Sequence, residues 1–308
     1  MSYELIISSG GSKGIAIVGA LNEFVKYSSL NNIKYYTGCS IGAIISLMLI
    51  IGYSIEELND IIFKINLAQF QDLKIKNLIE KCGFDEGIRF TNFLKAIIIN
   101  KNFESNITFQ ELFEKTGKIL TIATTNITKG VINYYNKENN PNMQVLSGLR
   151  MSSNVPILFS PLFYNDNYYL DGGLLDPYPY FYIKNTKKHG IWLFENDEFS
   201  FIKNLETNFI DSTDNSLGFV LNLLKIMYYN YMKKFYKKIP KNTIYIDFTY
   251  SNISFDMNIE DRKKMFDIGL KKTKSYFKRK YKNARKKYLS QKYFYMWFKK
   301  TKINNKKV

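Results

Sequence analysis

Histidine occurs once in this chain of 308 residues, and cysteine twice. Two cysteines, Cys39 and Cys82, do not make a disulfide scaffold and fit a reducing compartment. One histidine and two cysteines are also too few for a structural zinc site, so neither a metal nor a cofactor is expected. Long apolar runs are missing as well. The longest nearly uninterrupted one, Ile41 to Ile51, is too short to cross a bilayer and is broken by Gly42 and Ser46. The start, Met1-Ser2-Tyr3-Glu4-Leu5, has no basic region or cleavage site of a signal peptide. The expectation is a cytoplasmic protein, at most peripheral on membranes. Acidic residues are absent from the end of the chain: residues 271–308 hold 16 Lys and Arg and no Asp or Glu, whereas residues 1–270 hold 28 basic against 27 acidic residues. The net charge of +17 therefore belongs to the tail.

What is present begins with a core. A hydrophobic content of 45% and an aromatic content of 16% exclude a disordered chain, and the length suits one large domain or a domain with an appendage. Tyr3 to Ile7 reads as a strand covered on both faces of a parallel sheet. Ser8-Ser9-Gly10-Gly11-Ser12-Lys13-Gly14 follows, then a helical pattern from Ile15 to Tyr27. A glycine-rich loop opening a helix presents main-chain N–H groups to negative charge. It is neither a P-loop nor a dinucleotide fingerprint, because the required glycine and lysine spacings are absent.

The second stretch is Tyr35-Tyr36-Thr37-Gly38-Cys39-Ser40-Ile41-Gly42-Ala43. Its order of strand, Gly-x-Ser-x-Gly and apolar helix is that of a nucleophile elbow, where a Cβ at Gly38 or Gly42 would clash as strand and helix close. With such an elbow downstream, the glycine-rich loop reads as an oxyanion hole: Gly10, Gly11 and Ser12 as N–H donors, supported by Lys13 and Gly14. The third stretch is Asp171-Gly172-Gly173, after a hairpin through Asn165-Asp166-Asn167. By itself it reads as a turn or capping aspartate.

Elsewhere, Ser54-Ile55-Glu56-Glu57 opens a helix through Ile65. Residues 66–116 read as helices and loops, Lys118 to Thr125 and Val131 to Tyr135 as a hairpin, and Met143 to Met151 as a helix. A helix is expected from Leu217 to Phe235, a strand from Thr243 to Phe248, and a long helix from Ile259 with Phe266, Leu270, Phe277, Tyr281, Ala284 and Tyr288 on one face. Its basic side holds Lys278, Arg279, Lys280, Arg285, Lys286 and Lys287, with Trp297 in the aromatic cluster beyond. Three readings compete: the surface of an anionic membrane, preferred for a basic amphipathic helix beside aromatics; a solvated tail packed by its aromatics; and, last, nucleic acid.

In order and approximate spacing, Ser8 to Gly14, Gly38 to Gly42 and Asp171 to Gly173 resemble the motifs of the patatin-like phospholipases: an oxyanion loop ending in Lys/Arg-Gly, a Gly-x-Ser-x-Gly elbow, and Asp-Gly-Gly or Asp-Gly-Ala. Phe109-Gln110-Glu111-Leu112, Thr121 to Asn126, and Ser152-Ser153 with Pro156 and Pro161 fit too. The resemblance spans roughly residues 3–195. Ser8-Ser9 departs from the family's Asp-Gly or Gly-Gly. Cys39, at a variable position, is read as a packing residue rather than a second nucleophile.

The resemblance implies an α/β, three-layer patatin-like fold, its mostly parallel sheet flanked by helices, with a Ser40–Asp171 dyad at the C-terminal edge of the strands. Together with the charge distribution, it divides the chain into a catalytic domain at 3–195, a helical and strand extension packed on it at 196–270, and a basic amphipathic, aromatic-rich tail at 271–308. The implied activity is hydrolysis of fatty-acyl esters of phospholipids or other acyl lipids, of phospholipase A or lysophospholipase type. A catalytically weak lipid- or membrane-binding protein of the same fold acting through its tail, or a soluble esterase, are the alternatives.

Ser40, Asp171 and His189 also follow the chain order of an α/β-hydrolase triad. His189, however, precedes the apolar run Ile191 to Phe194. If that run is a parallel strand, His189 lies at its N-terminal end, on the opposite sheet edge from Ser40. It is expected to be a solvated loop residue, leaving Asp171 to take the serine proton directly. A carboxylate of ordinary pKa is a weak base, so the site is expected to be dry enough to raise it. Phe159, Phe163, Tyr168 and Tyr169 are expected mostly in the core, or else as walls for acyl chains.

Overall fold

Strand and helix alternate along the first part of the chain: β1 (Tyr3–Ile7), α1 (Gly14–Phe24), β2 (Ile33–Cys39), α2 (Ile41–Ile50), α3 (Ile55–Lys64), α4 (Ile75–Lys81), β3 (Gly83–Asp85), α5 (Ile88–Ile99), α6 (Phe109–Thr116) and β4 (Ile119–Asn126). Then come β5 (Val131–Tyr135), α7 (Val145–Ser152), β6 (Ile157–Phe159), β7 (Leu162–Tyr164), β8 (Asn167–Asp171), β9 (Lys188–Glu195), β10 (Thr243–Phe248) and α8 (Ile259–Asn304). The structure, a computed structural model, describes residues 3–65, 67–182, 187–195, 239–248 and 257–304, the side chains of 67, 68, 195, 248 and 286–304 aside. The helix expected over Leu217 to Phe235 lies outside the described residues.

The main sheet runs β10-β9-β1-β2-β4-β8-β7, with β5 on the other side of β4. The pairings from β10 through β4 are parallel, and those of β8, β7 and β5 are antiparallel. The fold is therefore mixed α/β with a mostly parallel sheet, as expected. Alternation sorts the strand residues between two faces. Leu5, Ile7, Ile191, Leu193, Ile244 and Ile246 enter the main core under the helices, while Ile6, Trp192 and Tyr245 join Tyr178 and Tyr180 in an aromatic cluster on the other face. One element escaped the sequence reading of residues 66–116: β3 pairs in parallel with β6 as a separate two-stranded sheet. Strands of three residues are too short to show a period of two.

α8 lies along α1 at main-chain contact. A Cβ on Gly269 would sit 1.9 Å from the Ala16 carbonyl oxygen, and one on Gly19 would sit 2.0 Å from that of Phe266. The buried stripe of α8 is Arg262, Met265, Gly269, Thr273 and Phe277. Tyr281, expected on the packed face, is exposed at the end of this contact, its ring 6.0 Å from that of Tyr27, while Phe277 one turn earlier is buried and stacked on Tyr27. α8 also runs unbroken across residue 271.

His189 departs from expectation in one respect. It is at the N-terminal end of a parallel strand, pairing with Leu5, which pairs with Tyr36. That leaves it about four residues short of Ser40, or about 13 Å along the strands. Yet it is not a solvated loop residue. It lies inside β9, stacked on Tyr3 at 5.7 Å between ring centres and edge-on to Phe24 at 5.3 Å. Burial, with the Lys280 charge nearby, pushes its pKa down to about 4.

Replacing Gly269 by alanine is expected to destabilise the fold by about 1–3 kcal/mol, because neither backbone can withdraw from the added methyl. Urea denaturation measures this, and a loss under about 0.5 kcal/mol would contradict the close packing of α1 and α8.

Candidate active site

Ser40 and Asp171 meet because two strands end head-on along one side of β4. β2 runs up that side until Cys39 pairs with Ala123; β8 descends the same side and stops with Asp171 paired to Thr124, the next residue. Ser40 Oγ donates to Asp171 Oδ2 at 2.6 Å. At the elbow Ser40 has φ 54° and ψ −126°, a conformation that costs a non-glycine residue on the order of 1–3 kcal/mol and persists only where its surroundings impose it. Those surroundings are visible. The Ser40 N–H donates to Ser152 Oγ at 2.8 Å, and Ser152 Oγ donates to the Ala123 carbonyl at 2.7 Å, which stitches the elbow to β4. A Cβ on Gly42 would lie 2.4 Å from the carbonyl oxygens of both Ile7 and Ser8, so the elbow helix abuts the start of the glycine-rich loop.

Asp171 is held at every polar atom. Its N–H donates to the Asn154 carbonyl at 2.9 Å, and its own carbonyl accepts from Thr125 Oγ1 at 2.8 Å. Oδ1 accepts the Gly173 N–H at 2.7 Å and the Cys39 thiol at 3.9 Å. Gly172 permits this turn, since a Cβ there would lie 2.3 Å from the Ala123 carbonyl oxygen. Ser40 is 4% exposed and Asp171 7%. Burial lifts the Asp171 pKa from 3.8 to about 6, against the opposing hydrogen bonds from Ser40, Gly173 and Cys39. A second buried carboxylate, Asp176, is lifted to about 6 by the same cause while accepting from Tyr134 Oη at 2.6 Å.

The glycine-rich loop faces the same space. Gly11–Lys13 makes a single 3-10 turn before α1, with Lys13 N–H donating to the Gly10 carbonyl at 2.9 Å. Among the described residues no main-chain carbonyl accepts the N–H groups of Gly10, Gly11 or Ser12. Gly14 permits Ile41 to approach, since a Cβ there would meet Ile41 Cγ1 at 2.4 Å. Ser8, where the family usually has Asp or Gly, accepts the Leu193 N–H at 2.9 Å and donates to the Ser9 carbonyl at 2.9 Å. One planar trans peptide carries the Ser9 carbonyl and the Gly10 N–H in opposite directions, so the Ser8 hydroxyl also orients that N–H.

From Ser40 and the loop an apolar tunnel enters the helical layer. α1, α2, α3 and α5 line it through residues such as Val18, Ile44, Met48, Ile61 and Phe93. Met257 and Arg262 add a wall from the far end of the chain. Arg262 closes the C-terminus of α3, donating from Nη1 to the carbonyls of Ile65 at 2.6 Å and Ile62 at 3.4 Å. Of the aromatics considered for the walls, Phe159 lines the tunnel; Phe163 and Tyr168 are exposed, and Tyr169 is buried against Tyr135. Buried Arg150 lies over the Phe90 and Phe159 rings, 5.5 and 5.1 Å from their centres. Sequence reasoning gave no role to Ser152, Asn154, Thr125 or Arg150. The signal for Ser152 was its place in a family-like segment, which says nothing of which atom it holds.

The basic residues of the tail lie elsewhere. Lys278, Arg279, Lys280 and Arg285 are exposed on α8, beyond the point where Phe277 packs on Phe24. Lys286, Lys287 and Trp297 continue the helix with side chains outside the described part. No helix among the described residues is long and apolar enough to cross a membrane.

A serine and a carboxylate meeting beside a glycine-rich turn sit here on a mixed α/β fold, its central sheet flanked by helices. The chain belongs to the patatin-like phospholipases, whose family profile matches residues 5–183. It is 35% identical over 202 residues to a protein named probable lipid hydrolase 463L of Invertebrate iridescent virus 6, covering 61% of this chain and 67% of that one. It is 31% identical over 286 residues to the uncharacterized protein R571 of Acanthamoeba polyphaga mimivirus, covering 88% and 92%. VipD of Legionella pneumophila has the same fold, with a TM-score of 0.59 at 18% identity over 89% of this chain; the chain spans 66% of VipD.

The raised Asp171 pKa has a sign for stability. Between pH 3.8 and about 6 the unfolded carboxyl has released its proton while the folded one retains it. Folding is therefore progressively penalised as pH rises through that window, by on the order of 3 kcal/mol. Asp171→Asn is expected to melt higher than the parent at pH 8, with the gap closing toward pH 4. An unchanged or lower melting temperature at pH 8 would contradict a desolvated carboxylate.

Proposed function

We propose that this protein hydrolyses fatty-acyl esters of phospholipids or related lipids through Ser40 and Asp171. The observation that carries the reading is the 2.6 Å hydrogen bond from Ser40 Oγ to a buried carboxylate beside an apolar tunnel. As Ser40 Oγ attacks the ester carbonyl, Asp171 Oδ2 takes the hydroxyl proton. The N–H groups of Gly10, Gly11 and Ser12 receive the oxygen that becomes negative. Collapse expels the leaving alcohol with the proton from Asp171 and leaves the acyl chain on Ser40, its tail in the tunnel. Water then repeats the cycle: Asp171 takes its proton, the hydroxide displaces Ser40 Oγ, and the fatty acid departs as Ser40 is reprotonated.

A base of pKa about 6 is ionised near neutrality yet retains more proton affinity than an exposed aspartate, which suits direct transfer from a serine. His189 does not enter, since it lies at the opposite end of the strands and is held neutral by burial. The tunnel walls match an acyl chain, with no charged side chain but Arg262 lining it among the described residues. The relative named as a probable lipid hydrolase supports the same substrate class.

Ser40→Ala and Asp171→Asn are each expected to lower ester hydrolysis by at least about 10³-fold, the scale seen when a member of such a unit is removed. His189→Ala should retain most of the rate, and its loss in a folded variant would reject the two-residue mechanism. A fluorophosphonate probe should label the parent at Ser40, whereas an unlabelled Ser40 would favour a catalytically weak lipid-binding protein. kcat/KM should fall about tenfold per pH unit below about pH 6 and level off above it; a profile flat through pH 6 would remove Asp171 as the base.

A further inference from the structure

α4 is built inside out. Its buried residue is Asn77, while Ile75 and Ile79, one turn apart, are 75% and 80% exposed. Leu73, just ahead of the helix, and Ile88, at the start of α5, are exposed as well. Single exposed apolar residues are ordinary. These four, however, come from one hydrogen-bonded unit. Lys74 N–H donates to the Phe84 carbonyl at 2.8 Å, Asp72 N–H to Asp85 Oδ2 at 2.6 Å, and Arg89 Nη1 to the Gln71 carbonyl at 3.2 Å. The apolar face is thus displayed by fixed backbone.

That face adjoins the tunnel. Phe70 and Gln71, just before Leu73, line it, and so does Phe90, just after Ile88. Charge does not dominate here, because Lys74 pairs with Asp72 at 2.9 Å, Lys76 with Glu80 at 3.7 Å and Lys81 with Glu86 at 2.7 Å. The tail is placed differently. Arg262 of α8 lines the tunnel, but Lys280 is 18 residues further along the helix, about 27 Å away at 1.5 Å per residue. Lys280 sits near His189, at the opposite edge of the sheet.

We propose that Leu73, Ile75, Ile79 and Ile88 form the surface by which this protein docks on a lipid bilayer, carrying the tunnel to the acyl chains, and that the basic segment at Lys278 to Lys280 is not that surface. The inference rests on the reading of the tunnel as an acyl-chain site. A bilayer fits better than a protein partner because the segments that carry the patch also line that tunnel, through Phe70, Gln71 and Phe90. Its lysines are already paired with neighbouring carboxylates, so docking depends on apolar insertion and does not require anionic lipid.

The full chain is mixed with phosphatidylcholine vesicles and floated, as the parent, as Ile75→Glu/Ile79→Glu, and as Lys278→Glu/Arg279→Glu/Lys280→Glu. The parent and the tail variant should float alike, and the α4 variant at least tenfold less. The α4 variant should also lose at least tenfold of its hydrolysis of vesicle lipid while keeping the parent rate on a soluble short-chain ester, which shows that it is folded. Equal flotation of parent and α4 variant, loss of flotation in the tail variant, or failure of the parent to float would each overturn the proposal. So would a shift of the α4 variant from dimer to monomer on size exclusion with flotation intact, which would make the patch a contact between copies. If the parent floats as stated but cleaves no ester, the hydrolase reading fails while docking stands.

Discussion

One side of β4 is shared between two strands running in opposite directions, and the rest of the site follows from that sharing. β4 is eight residues long and buried throughout, longer than β2 needs. β2 leaves the sheet after pairing with Ala123, and β8 occupies the vacated side from Thr124 onward. The ends of the two strands must then face each other, and their last side chains come within hydrogen-bond reach across a sequence separation of 131 residues. Neither strand can slip, because a shift of one residue would exchange the two faces of the sheet. Ser152, Asn154 and Thr125 add side-chain hydrogen bonds that hold both ends to β4 and to each other.

This arrangement opposes stability at several places at once. The elbow places a serine at positive φ, and the carboxylate beside it is stripped of water while bonded to only a few donors. The loss of water makes an ionised Asp171 costly and hence more basic than an exposed aspartate. The surrounding fold offsets these penalties through close packing. Gly42 and Gly172 bring main chains together where any side chain would force them apart, and the aliphatic core under α1 and α2 is almost fully withdrawn from water.

α8 belongs to the main folded body as much as to the tail. It begins with Arg262 closing α3 beside the tunnel, continues against α1 through Gly269, and reaches the far edge of the sheet at Phe277. The family profile ends at residue 183, so this tunnel wall comes from sequence outside the profile. The apolar face of α4 and the basic face of α8 thus occupy different parts of the molecule, and one flat surface is poorly placed to engage both.

The sequence by itself determined the elbow, the glycine-rich loop, the alternation of strand and helix, and the placing of His189 at the opposite edge of the sheet. Each of these rests on local rules: glycine where backbones touch, apolar periods of two and near four, and a parallel strand that runs one way. Only the tertiary structure decided that Asp171 faces Ser40 from the same side of β4, that Ser152 and Ser8 hold the main chain around it, and that His189 is packed between aromatic rings. The tunnel too is assembled from four helices and a segment remote in the chain, and the small β3–β6 sheet pairs strands too short to announce themselves. Contacts between distant segments depend on register and on which side of a strand stays open, and neither is written in the spacing of residues along one stretch.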